Sequence, residues 1–203
     1  MPNYVTNIIT FGNDKISKAA FRRMLDAVRA DGEPLGSIRF DKIIPMPKSV
    51  KNTMGRETDG EPMWRQWCDE HWGTDREALD WHPLNRDADA MCFFTAWSPV
   101  PRIVSEISKK YPDQTVFYQW AEHENIGWNV GEMTLRNGET LSSRIPEEGS
   151  REAFETAARI LDIDLSDFGL YLSADGLTYE EREIPIKEPE QRPERRKRGR
   201  PAR

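Results

Sequence analysis

The chain has no run approaching the roughly 18 apolar residues that a membrane-spanning helix needs, and its mean hydropathy is -0.77. The opening Met1-Pro2-Asn3-Tyr4-Val5-Thr6 lacks the basic then apolar pattern of a secretory signal. The expected location is therefore the cytoplasm of a bacterial cell, with no membrane partner. Cysteine is scarce: Cys68 and Cys92 are the only two in 203 residues. A chain of this length needs no disulfide to fold, so both thiols are expected to be reduced and buried. Gly55, Gly60 and Gly73 stand alone, and no Gly-x-x-x-x-Gly-Lys-Ser/Thr loop occurs to cradle a phosphate. Internal repeats are absent as well.

Aromatic residues are plentiful, with seven Trp, eight Phe and five Tyr to anchor a core. Charge is plentiful too, and unevenly placed. Residues 187–203 hold eight Lys or Arg against three Glu, a net +5; subtracting this from the whole-chain charge of -6 leaves -11 for residues 1–186. An acidic body repels phosphate and a basic tail attracts it. The division expected is a folded domain over 1–186 and a disordered basic tail over 187–203.

Within the body, alternation over residues 3–11 predicts an opening strand. Asp14 or Ser17 caps a helix reaching about residue 30, with Ala20, Phe21, Met24, Leu25 and Val28 inward. Residues 38–44 read as a second strand, stopped by Pro45 and Pro47. A polar stretch over 48–61 reads as loop with helical fragments, followed by a helix over 63–72 with Gly73 at its C-cap. The apolar run 90–97 suits a central strand, and Pro99 and Pro101 open a helix over 102–111. A meander over 115–145 turns at Asn137-Gly138. A helix from Ser150 to Leu161 and a hairpin turning at Ala174-Asp175-Gly176 close the body. The pattern predicts an α+β fold: a ferredoxin-like sandwich, with a mainly antiparallel sheet and helices packed on one face.

The segment Met63-Trp64-Arg65-Gln66-Trp67-Cys68-Asp69-Glu70-His71-Trp72 places Trp64, Trp67, Cys68 and His71 on one helical stripe. Such a stripe reads first as core packing. Cys68-x-x-His71 also has half of a zinc spacing, which His82, Cys92 and His123 would have to complete. The second short pair is missing, so no metal is assigned. Trp64, Trp67, His71 and Trp72 remain as a candidate ligand or interaction surface. Asp69, Glu70, Asp75, Glu77 and Asp80 read as a solvated acidic face. Glu122-His123-Glu124 reads equally as a base or metal site and as a strand end entering a turn. No catalytic residue and no cofactor is assigned.

Four elements occur in order: Pro2-Asn3-Tyr4-Val5-Thr6-Asn7, Phe40-Asp41-Lys42-Ile43-Ile44-Pro45-Met46-Pro47, Trp67-Cys68 through Trp72-Gly73-Thr74, and Phe94-Thr95-Ala96-Trp97-Ser98-Pro99. Together they resemble the YubB-type ferredoxin-like domain family carried by phages, prophages and plasmids, over about residues 2–135. The resemblance implies a ferredoxin-like topology without an iron–sulfur cluster, and brings no catalytic residues. Where the family pattern has a Lys and then an aromatic after Trp-Gly-Thr, this chain has Asp75 and Arg76.

The tail has no aromatic or large aliphatic side chain to offset the entropy of ordering. Its Arg198-Gly199-Arg200-Pro201 is similar to the core of an AT-hook. Gly199 would let the backbone lie deep in the minor groove, where Arg198 and Arg200 reach A N3 and T O2 acceptors. Pro201 keeps the chain extended, and Arg195, Arg196, Lys197 and Arg203 would meet phosphates. Lys197 stands where the hook usually has proline. The expected partners are AT-rich DNA for the tail and another macromolecule for the acidic body; an oligomer would multiply the DNA contact. Two other readings stand beside this one. One is a small enzyme acting on nucleic acid or nucleotide, and the other is an acidic DNA mimic that captures a host factor.

Overall fold

The computed structural model describes residues 3–29, 38–55, 60–83 and 90–182. Strand β1 (Tyr4–Thr10) leads into helix α1 (Lys15–Val28), and three short helices follow: α2 (Phe40–Ile43), α3 (Lys48–Lys51) and α4 (Met63–His71). Strands β2 (Leu79–Pro83) and β3 (Ala90–Ala96), helix α5 (Pro101–Lys110) and strand β4 (Val116–Glu122) come next. Strands β5 (Gly131–Arg136) and β6 (Glu139–Arg144), helix α6 (Arg151–Leu161) and a 3-10 turn (Leu165–Phe168) precede the hairpin β7 (Leu170–Leu172) and β8 (Tyr179–Glu181).

The main sheet runs β2-β3-β1-β4-β5-β6 with every pairing antiparallel. Its first four strands, with α1 and α5, form the β-α-β-β-α-β unit of a ferredoxin-like fold. β5 and β6 extend the sheet beyond β4, and their turn puts Asn137 at φ 50° and Gly138 at φ 81°. Two left-handed residues in succession are what a two-residue hairpin with the twist of its strands requires.

Strand alternation builds two cores, one on each face of the sheet. Val5 and Ile9, Met91 and Phe93, and Val116, Tyr118 and Trp120 point to the face covered by α1 (Phe21, Met24) and α5 (Ile103, Val104, Ile107). Ile8, Cys92 and Ala121 point to the opposite face, where α6 packs Ala153, Phe154, Ala157 and Ile160. The helices expected on one face thus occupy both, because α6 folds back across the meander.

Two further expectations are corrected. Residues 38–44 form no strand: Phe40 and Ile43 are buried one helical turn apart in α2, and only Ile38 retains a bridge, to Arg29. The strand that fills the second position is β2, a five-residue segment ended by proline. Residues 187–203 lie outside the described residues. Among the described residues, no helix is long and apolar enough to cross a membrane.

Candidate functional site: the tryptophan-walled cleft

α4 carries the tryptophan stripe and begins at Pro62, whose missing N–H costs nothing at a helix start. It ends at Trp72, where Gly73 takes φ +84° and donates to the carbonyls of Cys68 and Asp69. Cys68 and Trp72 are buried, whereas Trp64 and Trp67 are partly buried against the core. Trp72 is pinned: its Nε1 donates to the Ile44 carbonyl at 3.0 Å, and its ring meets Phe40 and Trp67 edge-on.

The stripe therefore splits. Trp67 stacks on His71 at 4.2 Å with the rings 7° apart, and His71 is exposed, its Nδ1 2.9 Å from the Trp67 carbonyl oxygen. Trp64, Cys68 and Trp72 face a different space. They line a cavity of about 520 Å³ with Arg39, Asp41, Lys42, Met46, Lys51, Met54, Arg76 and Glu77. Of the four candidate surface residues, Trp64 and Trp72 share this cleft, and Trp67 and His71 are not among its lining.

α2 and α3 form the facing side. Arg39 offers no side-chain cap to α2. Glu77 caps it from a distance instead, accepting from the Phe40 N–H at 2.6 Å and the Asp41 N–H at 3.3 Å. Burial drives the Glu77 carboxyl above its usual range, against the opposing effect of these two hydrogen bonds. Asp41 accepts from the Met46 N–H at 2.8 Å and from Lys51 Nζ at 2.7 Å. Its burial works to raise its pKa, but the Lys51 and Met46 donors prevail and hold it below the usual carboxylate value. Lys42 Nζ donates to the Arg29 carbonyl at 2.6 Å. Arg76 makes two 2.7 Å bonds to Asp75. Of the supposed solvated acidic face, Asp69 and Glu70 are exposed, but Asp75 and Glu77 are engaged in the fold.

The metal and nucleophile candidates do not converge. Cys68 belongs to the core beneath α4, and Cys92 to the core on the opposite face of the sheet. Burial pushes the Cys68 thiol up to about 12, helped by Glu77, Asp69 and Asp75, and burial alone pushes Cys92 to about 11. Protonated thiols are poor ligands and poor nucleophiles. The side chain of His82 lies outside the described residues. No cluster of three His, Cys, Asp or Glu suited to a metal occurs among the described residues. Glu122-His123-Glu124 is a strand end. Glu122 accepts from Asn3 and Asn125 at 2.6 Å, His123 Nε2 lies 2.5 Å from Thr6 Oγ1, and Glu124 accepts the Tyr4 N–H at 2.8 Å. The AT-hook-like residues Arg195, Arg196, Lys197, Arg198, Gly199, Arg200, Pro201 and Arg203 lie outside the described residues.

Residues 69–164 match the ferredoxin-like domain in Api92-like protein. The Api92-like match takes in β2 to β6, α5 and α6, and starts inside α4, so it contains Trp72, Arg76 and Glu77 from the cleft but none of its α2 and α3 side. A crystal structure of protein api92 from Yersinia pseudotuberculosis is similar to this chain at 15% identity and a TM-score of 0.40, over 55% of this chain and 40% of that one. This chain thus spans less than half of that relative. No curated protein matches.

Sequence reasoning missed the charged half of the cleft. Arg39, Asp41, Lys42 and Lys51 come from two four-residue helices and the residue before the first, and the N-terminus of that first helix is closed by Glu77, far along the chain. The one signal available was the density of charge around Phe40 and Ile43, which a two-residue strand period disguised.

Proposed function

We propose that this chain is an accessory binding module of the kind phages and plasmids carry, tethered to DNA by residues 187–203 while its acidic body engages another macromolecule. In this reading Arg198 and Arg200 lie along the minor groove of AT-rich DNA on either side of Gly199. The remaining basic residues neutralise phosphates. The observation that supports it is the partition of charge: +5 over 187–203 and -11 over the rest. A body of that charge is repelled by a polyanion, so any affinity for DNA has to come from the tail. A single short contact binds weakly, and its use is to raise the local concentration of the body near DNA.

The test is electrophoretic retardation of AT-rich and GC-rich duplexes by the full chain and by a chain ending at residue 186. The full chain should retard AT-rich duplexes more strongly, lose affinity steeply with salt, and lose its AT preference in R198K/R200K, which keeps the charge. The shortened chain should melt at the same temperature and retard nothing. Equal retardation by both chains would sink the proposal.

A further inference from the structure

The cleft beside α4 has a use that the tail does not explain, and the two stand independently. Four cationic side chains (Arg39, Lys42, Lys51 and Arg76) and two carboxylates line it, and the Asp75 carboxylate bonded to Arg76 leaves a local excess of one positive charge in a body of net -11. Both carboxylates are occupied by internal donors. The two oxygens of Asp41 take the Met46 N–H and Lys51 Nζ, and the two of Glu77 take the Phe40 and Asp41 N–H groups. Neither has an oxygen without a donor; Lys51, Arg76 and Lys42 are in turn bonded to Asp41, Asp75 and the Arg29 carbonyl, so the cation that a ligand meets is chiefly Arg39. Arg39 is exposed, and its guanidinium acts on the Asp41 and Glu77 carboxylates at Coulombic range, with no direct hydrogen bond to either. Five N–H donors in a planar fork match an oxyanion.

The remaining wall is aromatic and soft. Trp72 is fixed by its bond to Ile44, and Trp64, with the Arg65 guanidinium 5.4 Å from its ring centroid, lines the cleft together with Met46 and Met54. Flat aromatic surface and thioethers suit a planar group and adapt to its outline. At about 520 Å³ the cavity falls in the size class of small-molecule sites. An acidic body penalises each further phosphate, so a single anionic group is favoured over a strand.

We propose that this cleft binds a free mononucleotide, with the phosphate at Arg39 and the base against Trp64. Arg39 supplies the fork to the phosphate, and Lys42, which bonds the neutral Arg29 carbonyl, adds its charge to the lining.

Isothermal titration of the full chain with AMP tests this, with adenosine and inorganic phosphate as separate arms. AMP should bind saturably and at least about tenfold more tightly than either fragment. R39A should weaken AMP by about tenfold and leave adenosine unchanged, because an exposed side chain is removed and the fold is kept. W64L should weaken both AMP and adenosine, with the melting temperatures of W64L and R39A as the controls for folding. Three results overturn the proposal: no saturable AMP binding at millimolar concentration, equal affinity for phosphate and AMP, or an R39A-sensitive preference for a 5′-phosphorylated trinucleotide over AMP.

Discussion

The carboxylate of Glu77 closes the N-terminus of a helix that starts 37 residues earlier, accepting the Phe40 N–H at 2.6 Å and the Asp41 N–H at 3.3 Å. A four-residue helix cannot hold itself, and α2 has no local side-chain cap. Glu77 therefore couples the β2 approach to the cleft wall. E77A should cost about 1–3 kcal/mol, the usual penalty for stranding buried donors, and E77Q, which keeps an acceptor, should cost less. Denaturant unfolding measures both. The pH dependence carries a definite sign. Burial raises the folded-state pKa of Glu77 above 4.5, so the folded protein holds this proton more tightly than the unfolded chain. Stability from this group is greatest below 4.5 and falls as pH rises through the raised value. E77Q should flatten that slope. Asp41 acts oppositely: its pKa is lowered from 3.8, so its contribution is lost on acidification below that value.

The Tyr118 hydroxyl organises the core on the α1–α5 face. It donates to Asn7 Oδ1 at 2.6 Å and accepts the Val100 N–H at 2.8 Å, while Asn7 Nδ2 donates to Thr95 Oγ1 and the Val5 carbonyl, both at 2.9 Å. All of these residues are buried, and burial drives the phenol far above its ordinary pKa. Y118F removes one donor and one acceptor together, stranding the Val100 N–H at the start of α5 and the Asn7 oxygen. The expected loss is about 1–3 kcal/mol with the sheet intact by circular dichroism. N7V alone should be worse than Y118F, since it removes three hydrogen bonds (to Tyr118, Thr95 and the Val5 carbonyl) against two, although Thr95 keeps its 2.6 Å bond to the Ser98 carbonyl.

What could be read from the sequence was the structure set by local chemistry. Asp14 caps α1 by accepting from Ile16 and Ser17, Ser150 caps α6, and Asn137-Gly138 makes the hairpin, each as its residue type dictates. Residues 38–44 misled because Ile38, Phe40, Lys42 and Ile44 alternate while Phe40 and Ile43 also fit a helical turn. The choice between the two is made by Glu77, a distant acceptor that no local window contains. β2 escaped for the opposite reason: Leu79-Asp80-Trp81-His82-Pro83 is a short edge strand, paired only with β3, irregular between Leu79 and Trp81, and ended by proline. The cleft was half legible. Its tryptophans announce themselves on one helix, but its cations converge from separate short elements that only the fold brings together.

Gly131 faces Trp120 directly across the β4–β5 pair. A Cβ built on Gly131 would lie 2.4 Å from Trp120 Cζ2 and 2.6 Å from Cη2. The indole covers the bare backbone of the glycine and is itself buried, so it has no open direction in which to retreat. G131A should therefore destabilise by about 1–3 kcal/mol through overpacking, although alanine suits a strand at least as well. Chemical denaturation with the W120F/G131A double variant is the check: part of the loss should return when the larger ring is reduced. Full additivity of the two substitutions would show that the contact is not the cause.

The two cysteines give a test of both cores in one experiment. Cys68 is pushed to about 12 and Cys92 to about 11, so at pH 8 roughly one Cys68 in ten thousand and one Cys92 in a thousand are thiolate. Alkylation proceeds through the thiolate and needs access. The native protein should therefore resist iodoacetamide at pH 8, and mass spectrometry should find both sites labelled only after unfolding. The cysteines should also fail to pair under mild oxidation, because one lies beneath α4 and the other on the α6 side of the sheet. The cleft adds a distinction between them. Cys68 lines the cavity and Cys92 does not, so as the pH rises a small reagent should reach Cys68 through the cleft first, even though the thiolate fraction favours Cys92, which waits for α6 to open. Labelling of Cys92 first would mean that the α6 layer opens more readily than the tryptophan-walled cleft admits the reagent.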